Sequence, residues 1–202
     1  MTIRLLLADD QALVRGALAS LLDLEADMEV VVEVGRGDEV MAAAKEHLPD
    51  VALIDVEMPG LDGIEAAREL RSVLPDVKVL IVTTFGRPGY LRRALQAGAS
   101  GFVVKDTPAR QLADAVRRVH AGLRVVDPGL AADSLAVGES PLTTRETEVL
   151  CAARNGGSVS DIAATVFLSE GTVRNHLSAA IGKTDARNRA DAVRIAGDNG
   201  WL

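Results

Sequence analysis

A chain of 202 residues with 48% hydrophobic side chains can bury one large core or two small ones, and with only 2% aromatics those cores must be mostly Val, Leu, Ile and Ala. One cysteine, Cys151, excludes an internal disulfide and fits a reducing cytoplasm, and the apolar run in MTIRLLLADD is too short for a signal peptide or a membrane span. The net charge of −7 is uneven: from Leu142 onward seven Lys/Arg balance seven Asp/Glu, so the acidic excess lies in residues 1–141 and two units are expected.

In chain order, Ile3 to Ala8 reads as an apolar strand that ends in Asp9-Asp10. Residues 11–23 place Leu13, Ala17, Leu18, Leu21 and Leu22 at helical spacing, predicting a helix with those residues on one face. Glu29 to Val34 is a second strand and 38–47 a helix stopped by Pro49. Val51 to Ile54 is a third strand, apolar throughout and therefore buried on both faces. A helix over 62–73 follows, then a fourth strand, Val77 to Val82, ending in Thr83-Thr84. Residues 88–97 are helical with Gly98 as the stop, Gly101 to Val104 is a fifth strand ending at Lys105, and Pro108 opens a helix to about His120. Strict alternation of five strands with helices predicts a parallel sheet covered on both faces.

The polar residues cluster by topology. Asp9 and Asp10 follow strand one, Asp55 follows strand three, Thr83 follows strand four and Lys105 follows strand five. Carboxyl ends of strands are where open α/β sheets bind ligands, so one crevice can gather all five. Phosphoryl transfer to a carboxylate needs such a set. Asp55 is the nucleophile, paired carboxylates Asp9 and Asp10 suit Mg²⁺, Lys105 supplies a point charge, and the Thr83 hydroxyl donates to a phosphoryl oxygen. A phosphatase or phosphotransferase with an aspartyl intermediate would use the same nucleophile. The usual Asp-x-Asp of one such class is absent here, because Asp9 and Asp10 are adjacent.

Residues 123–141 mix Gly, Pro, Ser and acids, predicting a linker with a helical turn near 129–136. Thr143 and Glu146 then have capping-box spacing for a helix over 144–154. Ser158 or Ser160 caps a short helix containing Ile162 to Ala164, Ser169 caps a helix over 170–182, and a fourth helix covers 187–197. The short connection 166–169 makes a helix-turn-helix whose second helix can enter a major groove. Val173, Leu177 and Ile181 form its core side, and Cys151 is expected on an apolar face.

Asp9-Asp10, Asp55-Val-Glu-Met-Pro-Gly60 with Asp62-Gly63, Thr83 and Gly101-Phe-Val-Val-Lys105 resemble the receiver domain of two-component response regulators over residues 1–122. The resemblance implies a flavodoxin-like five-stranded sheet of order 2-1-3-4-5, an order that receiver proteins exemplify. It implies phosphorylation of Asp55 by a sensor histidine kinase, with Mg²⁺ on Asp10, Asp55 and the main-chain carbonyl of Glu57, and Asp9 acting through water. Thr83 would then move toward the phosphoryl group and Phe102, where many relatives have Tyr, would turn inward. By the same resemblance, Glu57 and Phe85 fall at positions that tune phosphoryl lifetime in that family. Leu142-Thr-x-Arg-Glu-x-Glu-Val-Leu150, Asp161-Ile-Ala163 and Leu168-Ser-x-Gly-Thr-Val-Arg-Asn-His176 resemble the all-α, four-helix DNA-binding domain of NarL/FixJ-type (LuxR-type) regulators over 142–202, with 123–141 as linker. Arg174, Asn175 and Ser178 fall at that family's base-reading positions, Thr172 and Lys183 at phosphate-contacting ones, and Arg187 and Arg189 are candidates for further backbone contacts. The resemblance as a whole implies a cytoplasmic transcription factor that dimerises on phosphorylation and binds promoter DNA. No enzymatic activity is expected beyond self-phosphorylation from phosphodonors and autodephosphorylation.

Overall fold

The structure, a computed structural model, describes residues 2–202 apart from Phe85, Arg87, Val137, Glu139 and Asn155. The lifetime-tuning role expected of Phe85 therefore lies outside the described residues. The chain forms two compact units, the second made of Ala132–Leu202 with residues 88–89.

In the first unit strands and helices alternate: β1 (Ile3–Ala8), α1 (Ala12–Asp23), β2 (Met28–Val34), α2 (Val40–His47), β3 (Val51–Ile54), α3 (Gly63–Val73), β4 (Lys78–Thr83), α4 (Pro88–Gln96), β5 (Gly101–Val104), α5 (Ala109–His120), β6 (Val125–Val126) and the opening of α6 (Pro128–Ala136). All paired strands are parallel, in the order β2-β1-β3-β4-β5-β6. Alternate residues along each strand feed opposite faces. Leu6, Ala8, Ala52, Ile54, Val79, Ile81 and Phe102 pack with α2, α3 and α4. Leu5, Leu7, Val51, Leu53, Leu80, Val82 and Val103 pack with α1 and α5. All four residues of β3 are buried, as its unbroken apolar run requires.

Two expectations about the first unit are corrected. The sheet has six strands, not five: Val125 and Val126, from the segment expected to be linker, pair with Gly101 and Phe102. Gly122, at φ 83°, turns the chain after α5, and the Val125 N–H then donates to the Ser100 carbonyl at 3.0 Å. Secondly, α1 is rotated relative to its expected apolar face. Ala19 and Leu22 are buried against the sheet, whereas Leu13 is 87% and Leu21 43% exposed, and Ala17 also faces out.

The second unit is helical: α7 (Thr144–Ala153), α8 (Val159–Val166), α9 (Glu170–Lys183) and α10 (Arg189–Asp198). Val149, Leu150, Ile162, Val173, Leu177, Ala180, Ala192 and Ala196 form its core. Each helix begins at a side-chain cap. Thr143 with Glu146 and Ser158 with Asp161 make capping boxes, and Ser169 and Asn188 cap α9 and α10. Of the two serines offered for α8, Ser158 is the cap. Phe167 closes α8 in the left-handed conformation, at φ 55°. Cys151 is exposed, not core. Among the described residues no helix is long and apolar enough to cross a membrane.

Because β3 is a central strand, buried throughout, that supports the acidic crevice, trimming it should be costly. Ile54→Ala is expected to destabilise the first unit by about 2–5 kcal/mol, and Ile54→Val by roughly 1 kcal/mol, in urea unfolding.

Candidate functional site

Strands β1 and β3 are neighbours, but the chain continues from β1 to β2 on one side and from β3 to β4 on the other. Their helical connections therefore part, and a crevice opens at the carboxyl edge between them. Ala8 and Ile54 are the last register pair. One residue further on, the Asp55 N–H donates to the Ala8 carbonyl at 2.8 Å and the Asp9 N–H to the Val34 carbonyl at 3.1 Å. Strand register thus delivers two carboxylates side by side, and both are buried, Asp55 at 4% exposure.

The loop after Asp55 is held tightly. The Gly63 N–H donates to the Val56 carbonyl at 2.9 Å, and a Cβ on Gly63 would lie 1.7 Å from the Asp55 carbonyl oxygen. Only glycine permits that approach. Asp62 caps α3 by accepting from the N–H groups of Ile64 and Glu65, and its other oxygen accepts from Arg93 of α4 at 3.2 Å.

Lys105 follows β5, where its N–H donates to the Thr83 carbonyl at 2.8 Å. Its ammonium reaches back across the sheet edge to Asp9 Oδ2 at 2.6 Å and Asp55 Oδ2 at 2.8 Å. The other Asp55 oxygen accepts from the Val56 N–H at 2.7 Å. Burial pushes the Asp55 carboxyl above the ordinary carboxylate value, outweighing the opposing pull of Lys105. Burial acts to lower the Lys105 ammonium, but its bonds to Asp55 and Asp9 win and hold it above the usual lysine value. Three carboxylates against one ammonium leave the crevice negative. Asp9, Asp10 and Asp55 each offer an oxygen within 4.8 Å of the others, an all-oxygen donor set that fits a hard divalent cation. Beside them is a polar cavity of about 60 Å³ lined by Asp10, Gln11, Asp55, Glu57, Thr83 and Thr84.

Asp9, Asp10, Asp55, Glu57, Thr83 and Lys105 are thus brought together. Phe102 is fully buried and Thr83 is buried too. Gln11 and Thr84 were not singled out in the sequence, although each directly follows a residue that was. Gln11 also donates its N–H to Asp9 Oδ1 at 2.9 Å.

In the second unit Arg174, Asn175 and Ser178 are exposed on one side of α9, while Val173, Leu177 and Ala180 are buried on the other. Thr172 is half-buried, its Oγ1 2.8 Å from Ser169 Oγ at the helix start. Lys183 is committed within the fold, donating to Glu146 Oε2 of α7 at 2.7 Å. Burial acts to raise the Glu146 carboxyl, but its bonds to Lys183 and Thr143 outweigh that and hold it below the ordinary value. Arg189 donates to the Gly157 carbonyl at 2.7 Å, and Arg187 pairs with Asp191. Glu146 was legible only as a cap; its link to Lys183, 37 residues away, was not.

Comparison with known proteins gives matches over nearly the whole chain. A family model described as the response regulator receiver domain matches residues 5–117, and one described as bacterial regulatory proteins of the luxR family matches 140–196. The uncharacterized transcriptional regulatory protein YvfU of Bacillus subtilis is 45% identical over 99% of this chain and 100% of its own length. The transcriptional regulatory protein DesR of the same organism is 42% identical over 99% of both. Among solved structures, the response regulator ChrA of a heme-sensing two-component system is 34% identical, with a TM-score of 0.61 over 100% of this chain and 99% of that one. RcsB, in a structure with DNA, shares the fold at 20% identity, with a TM-score of 0.72 over 98% and 99%.

The raised Asp55 carboxyl has a consequence for stability. The folded state holds its proton more tightly than the unfolded state, so ionised Asp55 destabilises the fold as pH rises through the folded value. In chelator at pH 7, Asp55→Asn is therefore expected to raise the melting temperature of the first unit by about 2–8 °C. That gain should fade as the buffer is taken into the acid range where the wild-type carboxyl is protonated. Gly63→Ala should instead cost about 2–4 kcal/mol in urea unfolding, because the added methyl meets backbone.

Proposed function

The chain belongs to the response regulators that join a receiver domain to a LuxR-type DNA-binding domain and regulate transcription, and on that premise we propose that phosphorylation of Asp55 is its switch. The observation that carries this reading is the Lys105 ammonium lying 2.6 Å from Asp9 and 2.8 Å from Asp55, in the crevice between β1 and β3. A carboxylate oxygen of Asp55 attacks the phosphorus of a phosphohistidine or a small acyl phosphate, and the electron pair of the broken bond leaves with the donor. Lys105 stays beside the product and offsets the added negative charge. Thr83, on the cavity wall, donates its hydroxyl to a phosphoryl oxygen. Asp10, Asp55 and the main-chain carbonyl of Glu57 would hold Mg²⁺, with Asp9 acting through water, and the bound cation would neutralise phosphoryl oxygens. Phe102, packed inside against Val126's strand, reports the state of that crevice to the face of α4 and β5.

The receiver domain is assigned to residues 1–122, the linker to 123–141 and the DNA-binding domain to 142–202. The chain acts in the cytoplasm, its phosphoryl donor in the cell is a sensor histidine kinase, and the output is a homodimer on promoter DNA. Arg174 and Asn175 suit bidentate contacts to guanine and adenine, Ser178 sits beside them, Thr172 serves a phosphate, and Lys183, held at Glu146, offers a phosphate only its remaining donors. The formal neutrality of residues 142–202 supports dimeric binding, because one neutral module gains little from phosphate neutralisation and two joined modules gain by effective concentration.

Incubation with labelled acetyl phosphate and Mg²⁺ should label the wild-type chain and leave Asp55→Asn unlabelled. Sedimentation with beryllofluoride and Mg²⁺ should show a mass shift in wild type that Asp55→Ala lacks. Unlabelled wild type that occupies DNA equally with and without donor would refute the assignment. Arg174→Ala should lower affinity for a selected site about tenfold while altering binding to random duplex much less.

A further inference from the structure

The exposed side of α9 carries few long side chains. Gly171, Ser178, Ala179 and Gly182 are all short and exposed, so Glu170, Arg174 and Asn175 dominate the surface near the helix start. Glu170 is the first residue of α9, directly after the Ser169 cap. In helix-turn-helix proteins the N-terminal residues of the second helix are those that meet base edges. Arg174 lies one turn further along the same row, and its guanidinium donates to Glu170 Oε2 at 2.6 Å.

An acid in that position works against DNA affinity. Duplex DNA carries one phosphate charge per about 1.7 Å of axis, and a carboxylate entering the groove is repelled by it. Glu170 also cancels the charge of Arg174, the long cation at the head of the row. The other cation of the helix, Lys183, is engaged by Glu146. The recognition surface therefore gives up general attraction. What it gains is a fixed Arg174: a planar guanidinium held from one side presents its remaining donors in one direction, as a bidentate contact to guanine requires.

We propose that Glu170 is a specificity-determining positioning residue, which acts through the Arg174 guanidinium to set base choice at the expense of affinity. The proposal rests on the assignment of α9 as the DNA-reading helix. It makes two opposite demands of one substitution. Glu170→Ala should tighten binding to random-sequence duplex by about two- to fivefold, since one repelled charge is gone. The same change should weaken the preference for the base pair read by Arg174 by about fivefold, since the guanidinium is no longer held. A role confined to helix stability would lower the melting temperature and weaken all sequences alike.

The test is selection of binding sites from a random duplex library with the full-length chain, incubated with acetyl phosphate and Mg²⁺. Wild type, Glu170→Ala, Arg174→Ala and the double variant are compared, with affinities for the enriched site and for random duplex. Loss of preference at one and the same base pair in both single variants, with no further loss in the double variant, supports the proposal. An unchanged preference in Glu170→Ala, or a loss that adds to that of Arg174→Ala, overturns it. A loss at a different base pair also overturns it and makes Glu170 a direct reader of cytosine. If wild type enriches no sequence, the assignment of α9 itself fails, a result distinct from the others.

Discussion

One ammonium bridges two buried carboxylates at the edge of the sheet, and the rest of the first unit is arranged so that it can. Asp9 and Asp55 stand together because β1 and β3 pair in register up to Ala8 and Ile54. Lys105 arrives from two strands away because β5 pairs with β4 and its own N–H is fixed on the Thr83 carbonyl. Like charges this close and this buried repel, and the shared lysine offsets that repulsion. The bridge sets a positive charge against the Asp55 carboxylate and offsets part of the cost of burying it.

The same arrangement constrains the surrounding loop. Gly63 lets α3 start directly against the Asp55 carbonyl, and Asp62 both caps that helix and accepts from Arg93 of α4. The β3–α3 loop is therefore tied to α4. A change of charge at Asp55 is felt first by its ammonium partner and by the cavity wall at Thr83 and Thr84. Strand β6 adds a further neighbour, since Val126 pairs with Phe102 and leads directly into α6. The receiver core and the segment leaving it are thus parts of one sheet.

The helical unit solves a different problem. Its core is mostly small and branched residues, its helices start at four side-chain caps, and its cations are largely paired. Arg174 with Glu170, Lys183 with Glu146 and Arg194 with Asp191 all spend positive charge inside the fold. Such a surface favours discrimination over indiscriminate attraction.

The sequence by itself determined the alternation of strands and helices, the buried third strand, the capped helices of the second unit and the delivery of Asp9, Asp10, Asp55, Thr83 and Lys105 to one edge. These follow from local rules: side-chain period, turn residues and caps act over a few residues and leave their mark in order. Tertiary structure decided the rest. Periodicity shows that α1 has an apolar side but not how it is turned, so Leu13, Ala17 and Leu21 were expected inside and lie outside. A two-residue strand such as Val125–Val126 has too little pattern to stand out in a Gly- and Pro-bearing segment, and it exists only because β5 offers an edge to pair with. Lys183 reads as a free cation until folding brings α7 beside α9 and puts Glu146 within 2.7 Å. Contacts between distant residues depend on how elements pack, and packing is settled by the whole core.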